Sequence, residues 1–307
     1  MQALKGRSIV IIKFQGRRPS LRAAIPTLDP TRPELVLDAS ELTWASPMDL
    51  TGLAAWACAE GPATRTLILP EAPGPAAYLS RMDALDIVHE SGVRVRGIVP
   101  AGERTDLSDR LIEVRHMRTE SDGLRFGSDV YSLVNKTAGD HAARYILALL
   151  GELSENAFRH SRTSAGVFGS AQIYTGITTS RPGIEISVSD AGKGILASLH
   201  ENPHHASLSR CAQAVGASLQ PGVTADVDES GNDEVGHGGG LPRVIERLQV
   251  HRGRLVLRSG DGFARVASRA RVTAAPTAVP GTWSWIRLDL QDGQLVAQGT
   301  SVLSLRQ

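Results

Sequence analysis

"LLGELSENAFRHS", Leu149 to Ser161, is the stretch on which the reading of this chain turns. Residues four apart on a helix lie one above another. Glu152, Asn156 and His160 therefore line one edge, while Ile146, Leu149, Leu150, Leu153 and Ala157 form an apolar stripe beside it. For a helix standing alone, such a polar edge is ordinarily a solvated face. Why a carboxylate, an amide and an imidazole stand in a row there has to be answered from the rest of the chain.

A single core stops growing at about 250–300 residues, so 307 residues suit two domains. Aromatics are scarce and small residues common, as in a globular protein with many tight turns. The formal net charge is +1, which gives no general attraction to nucleic acid or anionic lipid. Basic residues gather locally at Lys5, Arg7, Lys13, Arg17, Arg18 and Arg22, and again from Arg252 to Arg271; on strands and loops these read as solvated surface. Cys58 and Cys211, far apart, read as two buried free thiols of a reducing compartment. No secretory leader is read, and no apolar run reaches the ~20 residues of a membrane helix. A soluble cytoplasmic protein is the expectation.

Strand and helix alternate over the first part. "SIVIIKF" and "ELVLDAS" read as strands, "PMDLTGLAAWACAEG" as a helix opened by Pro47 and closed by Gly61, "RTLILP" as a strand, "AAYLSRMDALDIV" as a helix and "DRLIEVRHMRT" as a strand. This predicts an α/β domain over residues 1–120. In the second part, 121–307, a polar approach "TESDGLRFGSDVYS" leads to a long helix from about Ser132 to Arg159, with a break near Gly139. Strands "GVFGSAQIY" and "GIEISVSD" follow. An irregular span over about 195–239 is too long for a simple connector and reads as a functional lid, with one helix in "HASLSRCAQAVGASL". A helix "LPRVIERLQVH" and three antiparallel strands, "GRLVLRSG", "ARVASRARVT" and "GTWSWIRLDL", complete the pattern.

Two further motifs bear on the helix. Asp190 ends a strand and opens "DAGKGI", where Gly192 and Gly194 allow a tight turn and the approach of a flat ligand, and where a strand-end carboxylate can accept a hydrogen bond from an exocyclic amine. Ordinary turn chemistry gives the same pattern. "GHGGGLPRV" runs straight into a helix; bare amides in a glycine turn at a helix N-terminus form a phosphate site, although a loop that merely caps the helix would look alike. His200, His204, His205 and His237 lack the close pairing of a zinc site, and Asp226, Asp228, Glu229, Asp233 and Glu234 read as acids that keep an open lid solvated.

The order of these features resembles the ATP-binding domain of the GHKL superfamily, the Bergerat fold shared by gyrase B subunits, heat-shock chaperones, MutL proteins and histidine kinases. The features are a carboxylate and an amide on a helix, D-x-G-x-G, a long lid, a glycine turn into a helix, then Gly281 and Thr282 opening a strand. "ELSENAFRH" is most similar to the anti-sigma serine kinases. The resemblance implies an α/β sandwich with a mixed sheet and helices on one face, binding ATP and Mg2+. By position, it implies that Asn156 holds the magnesium ion, Glu152 is the general base and Asp190 binds the adenine amine, with Gly192 and Gly194 shaping the base pocket. It further implies that Gly236, Gly238 and Gly240 cradle the phosphates and Thr282 adds a hydroxyl near the base. His160 either reaches the nucleotide or packs against the sheet.

"LVLDASELTWASPMDLTGLAAW" and "AYLSRMDALDIV" resemble the STAS domains of anti-sigma factor antagonists. The phosphorylatable position of that family falls on Met48, with Ser46 two residues earlier, which departs from a standard phospho-switch. Together the resemblances imply a cytoplasmic regulatory protein, a serine/threonine-kinase-like protein or slow ATPase, acting on a protein partner of the sigma-factor-pathway type. The alternative is a nucleotide-gated binding switch without turnover. A third reading, a dimerising gyrase- or MutL-like ATPase acting with nucleic acid, would need a transducer domain that is not read after the last strand. A homodimer is compatible with the pattern; a membrane partner is not expected.

Overall fold

The computed structural model describes residues 9–13, 34–61, 64–99, 104, 106–174, 181–227 and 239–297. It is an α+β structure with two sheets. In the first, β1 (Ile9–Lys13), β2 (Glu34–Asp38), β3 (Thr64–Ile68) and β4 (Arg94–Arg96) run parallel in sequence order. α1 (Pro47–Cys58) connects β2 to β3, and α2 (Pro73–Arg81) and α3 (Ala84–Glu90) connect β3 to β4. The second sheet has the order β10–β9–β7–β6–β5, with β8 also on β9. Its strands are β5 (Leu111–Met117), β6 (Val167–Tyr174), β7 (Gly183–Asp190), β8 (Arg254–Val266), β9 (Ala270–Gln291) and β10 (Gln294–Leu295).

Every described pairing in the second sheet is antiparallel, where the resemblance implied a mixed sheet. β5 pairs with β6, so the strand assigned above to the first domain is an edge of this one. The stretch "ARVASRARVT" is not a strand of its own: Ala264–Val266 ends β8, and Ala270 to Thr273 opens β9 across a tight turn.

α1 lies between the two sheets. Ser46 caps it, with its Oγ taking the Asp49 N–H at 3.3 Å while the Asp49 carboxylate takes the Ser46 N–H at 2.8 Å, and Pro47 occupies the first turn. At the other end the Arg65 guanidinium donates to the carbonyls of Ala57 and Ala59. Every residue from Pro47 to Ala57 is buried, which is the signature of a helix packed on all sides. One side meets the parallel sheet through Leu35, Leu37 and Leu67; the other meets Phe168, Val256, Trp283 and Trp285 of the antiparallel sheet. Met48 is 0 % exposed and Ser46 1 % exposed, so neither side chain is open to a modifying enzyme.

The strand side chains follow a period of two. Ile184, Ile186 and Val188 of β7 face α4, the helix described next, whereas Ser187 and Ser189 face α1. There the Thr51 hydroxyl is 2.8 Å from both serine oxygens. Ser187 Oγ donates to the Ser284 carbonyl, which can only accept. The single proton on each hydroxyl then runs one way, from Ser189 to Thr51 to Ser187 to Ser284. Further along the same face Tyr78 Oη donates to Gln172, Gln172 to Glu185, and Arg287 bridges Glu185 and Asp289. These buried charges are thus paired, as buried charges must be.

α4 (Glu120–Ser161) covers the opposite face and breaks at Gly139, whose φ of 78° is left-handed. It begins well before the expected Ser132, because Thr119 and Asp122 form a capping box. The chain doubles back at the break. Gly123 meets Phe158 and Gly127 meets Leu147, pairs that a straight helix would hold tens of ångströms apart. Ile146, Leu149, Leu150, Leu153 and Ala157 form the buried stripe on the sheet.

The span expected to be an irregular lid is built, as far as it is described, from α5 (Gly194–Leu199), a 3-10 turn at Pro203–His205 and α6 (Cys211–Ser218). Ala214, Val215 and Leu219 are buried, with Val215 and Leu219 in the α4 core, so α6 is anchored rather than loose. Asp228, Glu229, Asp233, Glu234 and His237 lie outside the described residues. α7 (Gly240–Val250) follows, with Val244 and Leu248 in the same core. Among the described residues no helix is long and apolar enough to cross a membrane.

A Cβ on Gly52 would stand 2.5 Å from the Trp283 ring, whereas one on Gly151 of α4 meets nothing within 4 Å. Gly52→Ala should cost about 1–3 kcal/mol by overpacking, and Gly151→Ala should stabilise by about 0.5–1 kcal/mol through helix propensity. Urea denaturation of the full chain checks both; effects of the same sign would contradict the placement of α1 against Trp283.

Candidate functional site

The even-numbered residues of β7 point toward α4, and Asp190 is the last of them. Where the apolar row of Ile184, Ile186 and Val188 ends, a cleft of about 1090 Å3, open solvent included, begins. One wall is the polar edge of α4, with Glu152, Asn156 and His160 on successive turns. Asp190, Thr282 and Ser284 line the sheet side, α5 contributes Gly194 and Ser198, and the start of α7 contributes Gly240 to Arg243. Val223, Thr224 and Asp226, from the segment after α6, close the remaining side.

Asp190 is 2 % exposed, and its Oδ1 takes the Gly192 N–H at 2.8 Å. Burial pushes its carboxyl up to about 7, against the backbone amides of Gly192 and Thr282, which hold it down. Gly281 packs directly on this carboxylate. Its φ is +64°, and a Cβ there would fall 2.1 Å from the Asp190 carbonyl oxygen and 2.5 Å from Oδ1, so only glycine fits. Ser259 ties the two loops together, taking the Ile195 N–H and donating to the Gly281 carbonyl.

α7 reaches the α4 edge through Gly240. A Cβ on that residue would lie 3.0 Å from Asn156 Nδ2 and 3.3 Å from Glu152 Oε2. No side chain caps this helix start; Pro242 has no N–H and the Arg243 N–H bonds the Gly239 carbonyl, so the amides of Gly240 and Leu241, which line the cleft, have no side-chain cap. Asn156 Nδ2 and Ser198 Oγ are buried without a protein hydrogen-bond partner, and both belong to residues that line the cleft. Buried polar atoms left in this state call for a polar ligand or water. The site therefore joins a buried carboxylate, a mainly apolar slot through Leu153, Ala157, Val188 and Leu257, and a polar end with an amide, a carboxylate and a helix start that no side chain caps.

Glu152, Asn156, His160, Asp190, Gly194, Gly240 and Thr282 thus line one cleft. Gly192 lies instead on a neighbouring cleft beside Ala59 and Glu60, acting on the first only through its N–H to Asp190. Gly236 and Gly238 fall outside the described residues. Burial lowers the pKa of the His160 imidazole, favouring its neutral form. On the same helix Glu155 pairs with Arg159 at 3.5 Å, and Arg159 also reaches Asp226 at 3.6 Å. Asp226, expected among the solvating lid acids, instead ties its segment to α4. Among the described residues no three His, Cys, Asp or Glu side chains are grouped to hold a metal ion, and His200 Nε2 is bonded to the Leu208 carbonyl.

Sequence reasoning missed Arg243, whose Nη1 is 3.6 Å from Glu152 Oε1. Its signal was a cation three residues after the last glycine of "GHGGG", where an acid would suit the helix start better. Ser198 and Thr224 gave no signal, because their span had no periodicity to read. The chain matches no family model and no curated protein.

Proposed function

We propose that the cleft binds Mg-ATP and that the chain is a cytoplasmic regulatory protein of the GHKL type, with a STAS-like segment in front, acting on a protein partner. The observation that carries this is Asp190. A nearly neutral-range carboxylate buried at the end of a strand, beneath an apolar slot, is suited to an adenine amine, with the polar residues at the far end suited to phosphates. The superfamily resemblance supports the same assignment through the same residues.

In this reading Asp190 accepts the amine hydrogen and Thr282 and Gly194 border the base, while Asn156 would hold magnesium through its side-chain oxygen and offer its unpartnered amide to a phosphate oxygen. Gly240 brings the start of α7 to the phosphate end. When bound, magnesium supplies positive charge against the phosphates. Glu152 is the group placed to take a proton from a water or from a partner's hydroxyl. His160, neutral and partly buried, contributes shape at the wall. The second reading, a binding switch without turnover, is favoured by one feature: the Glu152 carboxylate faces the Arg243 guanidinium.

Ionised Asp190 is the form that accepts the amine. As pH rises through about 7 its carboxylate fraction grows, so ATP affinity should climb about tenfold from pH 6 to pH 8. Asp190→Asn should abolish this slope and weaken adenine nucleotides by about 1.5–3 kcal/mol, with GTP unaffected. Titration calorimetry at the two pH values checks both, and equal losses for ATP and GTP would remove Asp190 from base recognition.

Asn156→Ala should remove magnesium-dependent ATP binding while leaving the circular dichroism spectrum unchanged, since the buried stripe is intact. Glu152→Gln should retain nucleotide affinity within a few-fold and slow phosphate release or transfer by about 10²–10⁴. Absence of turnover in the wild type, with normal ATP binding in the variant, would select the switch.

A further inference from the structure

We propose that Arg243 is the residue by which this cleft tells a nucleoside triphosphate from a diphosphate, an inference that rests on the nucleotide reading above. Arg243 stands in the first turn of α7, where the helix dipole is already positive, and no acidic residue shares that turn. A cation there is misplaced unless an anion comes to it. The anion it meets is the Glu152 carboxylate, at 3.6 Å. The guanidinium lies across bare Gly239, where a Cβ would come within 3.0 Å of its Cζ.

This pair is made to exchange. The Arg243 side chain is 55 % exposed and the contact is long, and pairs of that kind contribute little. A phosphate carries more charge than a carboxylate and can meet the guanidinium through two parallel hydrogen bonds. The unpartnered Asn156 Nδ2, aimed at the same helix start, is a second group awaiting an acceptor.

Position along the cleft selects which phosphate Arg243 meets. Ser161 of α4 packs against Gly192, two residues from Asp190, as the 2.1 Å from a Gly192 Cβ to the Ser161 carbonyl oxygen shows. Glu152 precedes Ser161 by about 13 Å of helix axis at 1.5 Å per residue. A nucleotide whose base sits on Asp190 must extend over that length before its tail reaches Arg243, and each phosphate lost shortens it. With the terminal phosphate present, Arg243 turns from Glu152 to the ligand and leaves the carboxylate unneutralised beside the phosphate chain. With a diphosphate, the Arg243–Glu152 pair persists.

The test is calorimetric titration of the full chain with Mg-ATP and Mg-ADP for the wild type, Arg243→Ala, Arg243→Lys and Glu152→Gln. Arg243→Ala should weaken ATP about tenfold or more, the loss of one exposed charge-assisted contact, and ADP by less than about twofold. Arg243→Lys, which keeps the charge and guards against a folding defect, should fall between. Glu152→Gln should tighten ATP and leave ADP unchanged, because it removes the competing carboxylate. Equal changes for ATP and ADP in Arg243→Ala, or none in either, would overturn the role of Arg243 while leaving nucleotide binding in place. A wild type that binds neither nucleotide overturns both, and that is seen before any variant is made.

Discussion

The enclosure of α1 is the constraint on which the rest of the molecule depends. A helix with no exposed side cannot be satisfied by one sheet, and here the two sheets complete its surroundings from opposite directions. Leu35, Leu67, Trp56, Phe168, Trp283 and Trp285 belong to a single buried cluster. The first stretch of chain therefore does more than precede the second. It supplies the covering that keeps two tryptophans of β9 out of water, and burying aromatics of that size is among the larger favourable terms available to a fold.

The cleft is a product of the same arrangement. Alternation along β7 sends Ser187 and Ser189 to α1 and sends Ile184, Ile186, Val188 and Asp190 to the other side, so that anchoring one set orients the other. Asp190 stays buried because Gly281 presses on it and because the α4 stripe covers Ile184, Ile186 and Val188 further down the strand. The perturbed carboxyl, in this sense, begins at Thr51.

Much of the site was legible because it depends on local spacing. The four-residue interval from Glu152 to Asn156 to His160, the glycines after Asp190 and the glycine turn into α7 are all fixed by short stretches of chain. Less legible were features decided by distant partners. "GIEISVSD" alternates as a strand with one solvated face would, yet its polar face meets the hydroxyl of α1. "TESDGLRFGSD" looks like a loop because of its glycines, yet Gly123 and Gly127 are small so that Phe158 and Leu147 can approach after the chain doubles back. β5 follows a helix-rich region and reads as its end, but its hydrogen bonds go to β6. Nothing in a local period says what will cover a face.

The chain of hydroxyls from Ser189 to Ser284 also bears on how the cleft responds to an occupant. β7 is clamped from behind by directional bonds and from the front by α4, so the floor of the cleft is stiff. The start of α7 has no side-chain cap, and its contact with α4 is an exposed ion pair across glycine. The floor is therefore held by directional bonds, whereas the roof is held by the burial of Val244 and Leu248 further along α7, with only an exposed ion pair at its first turn.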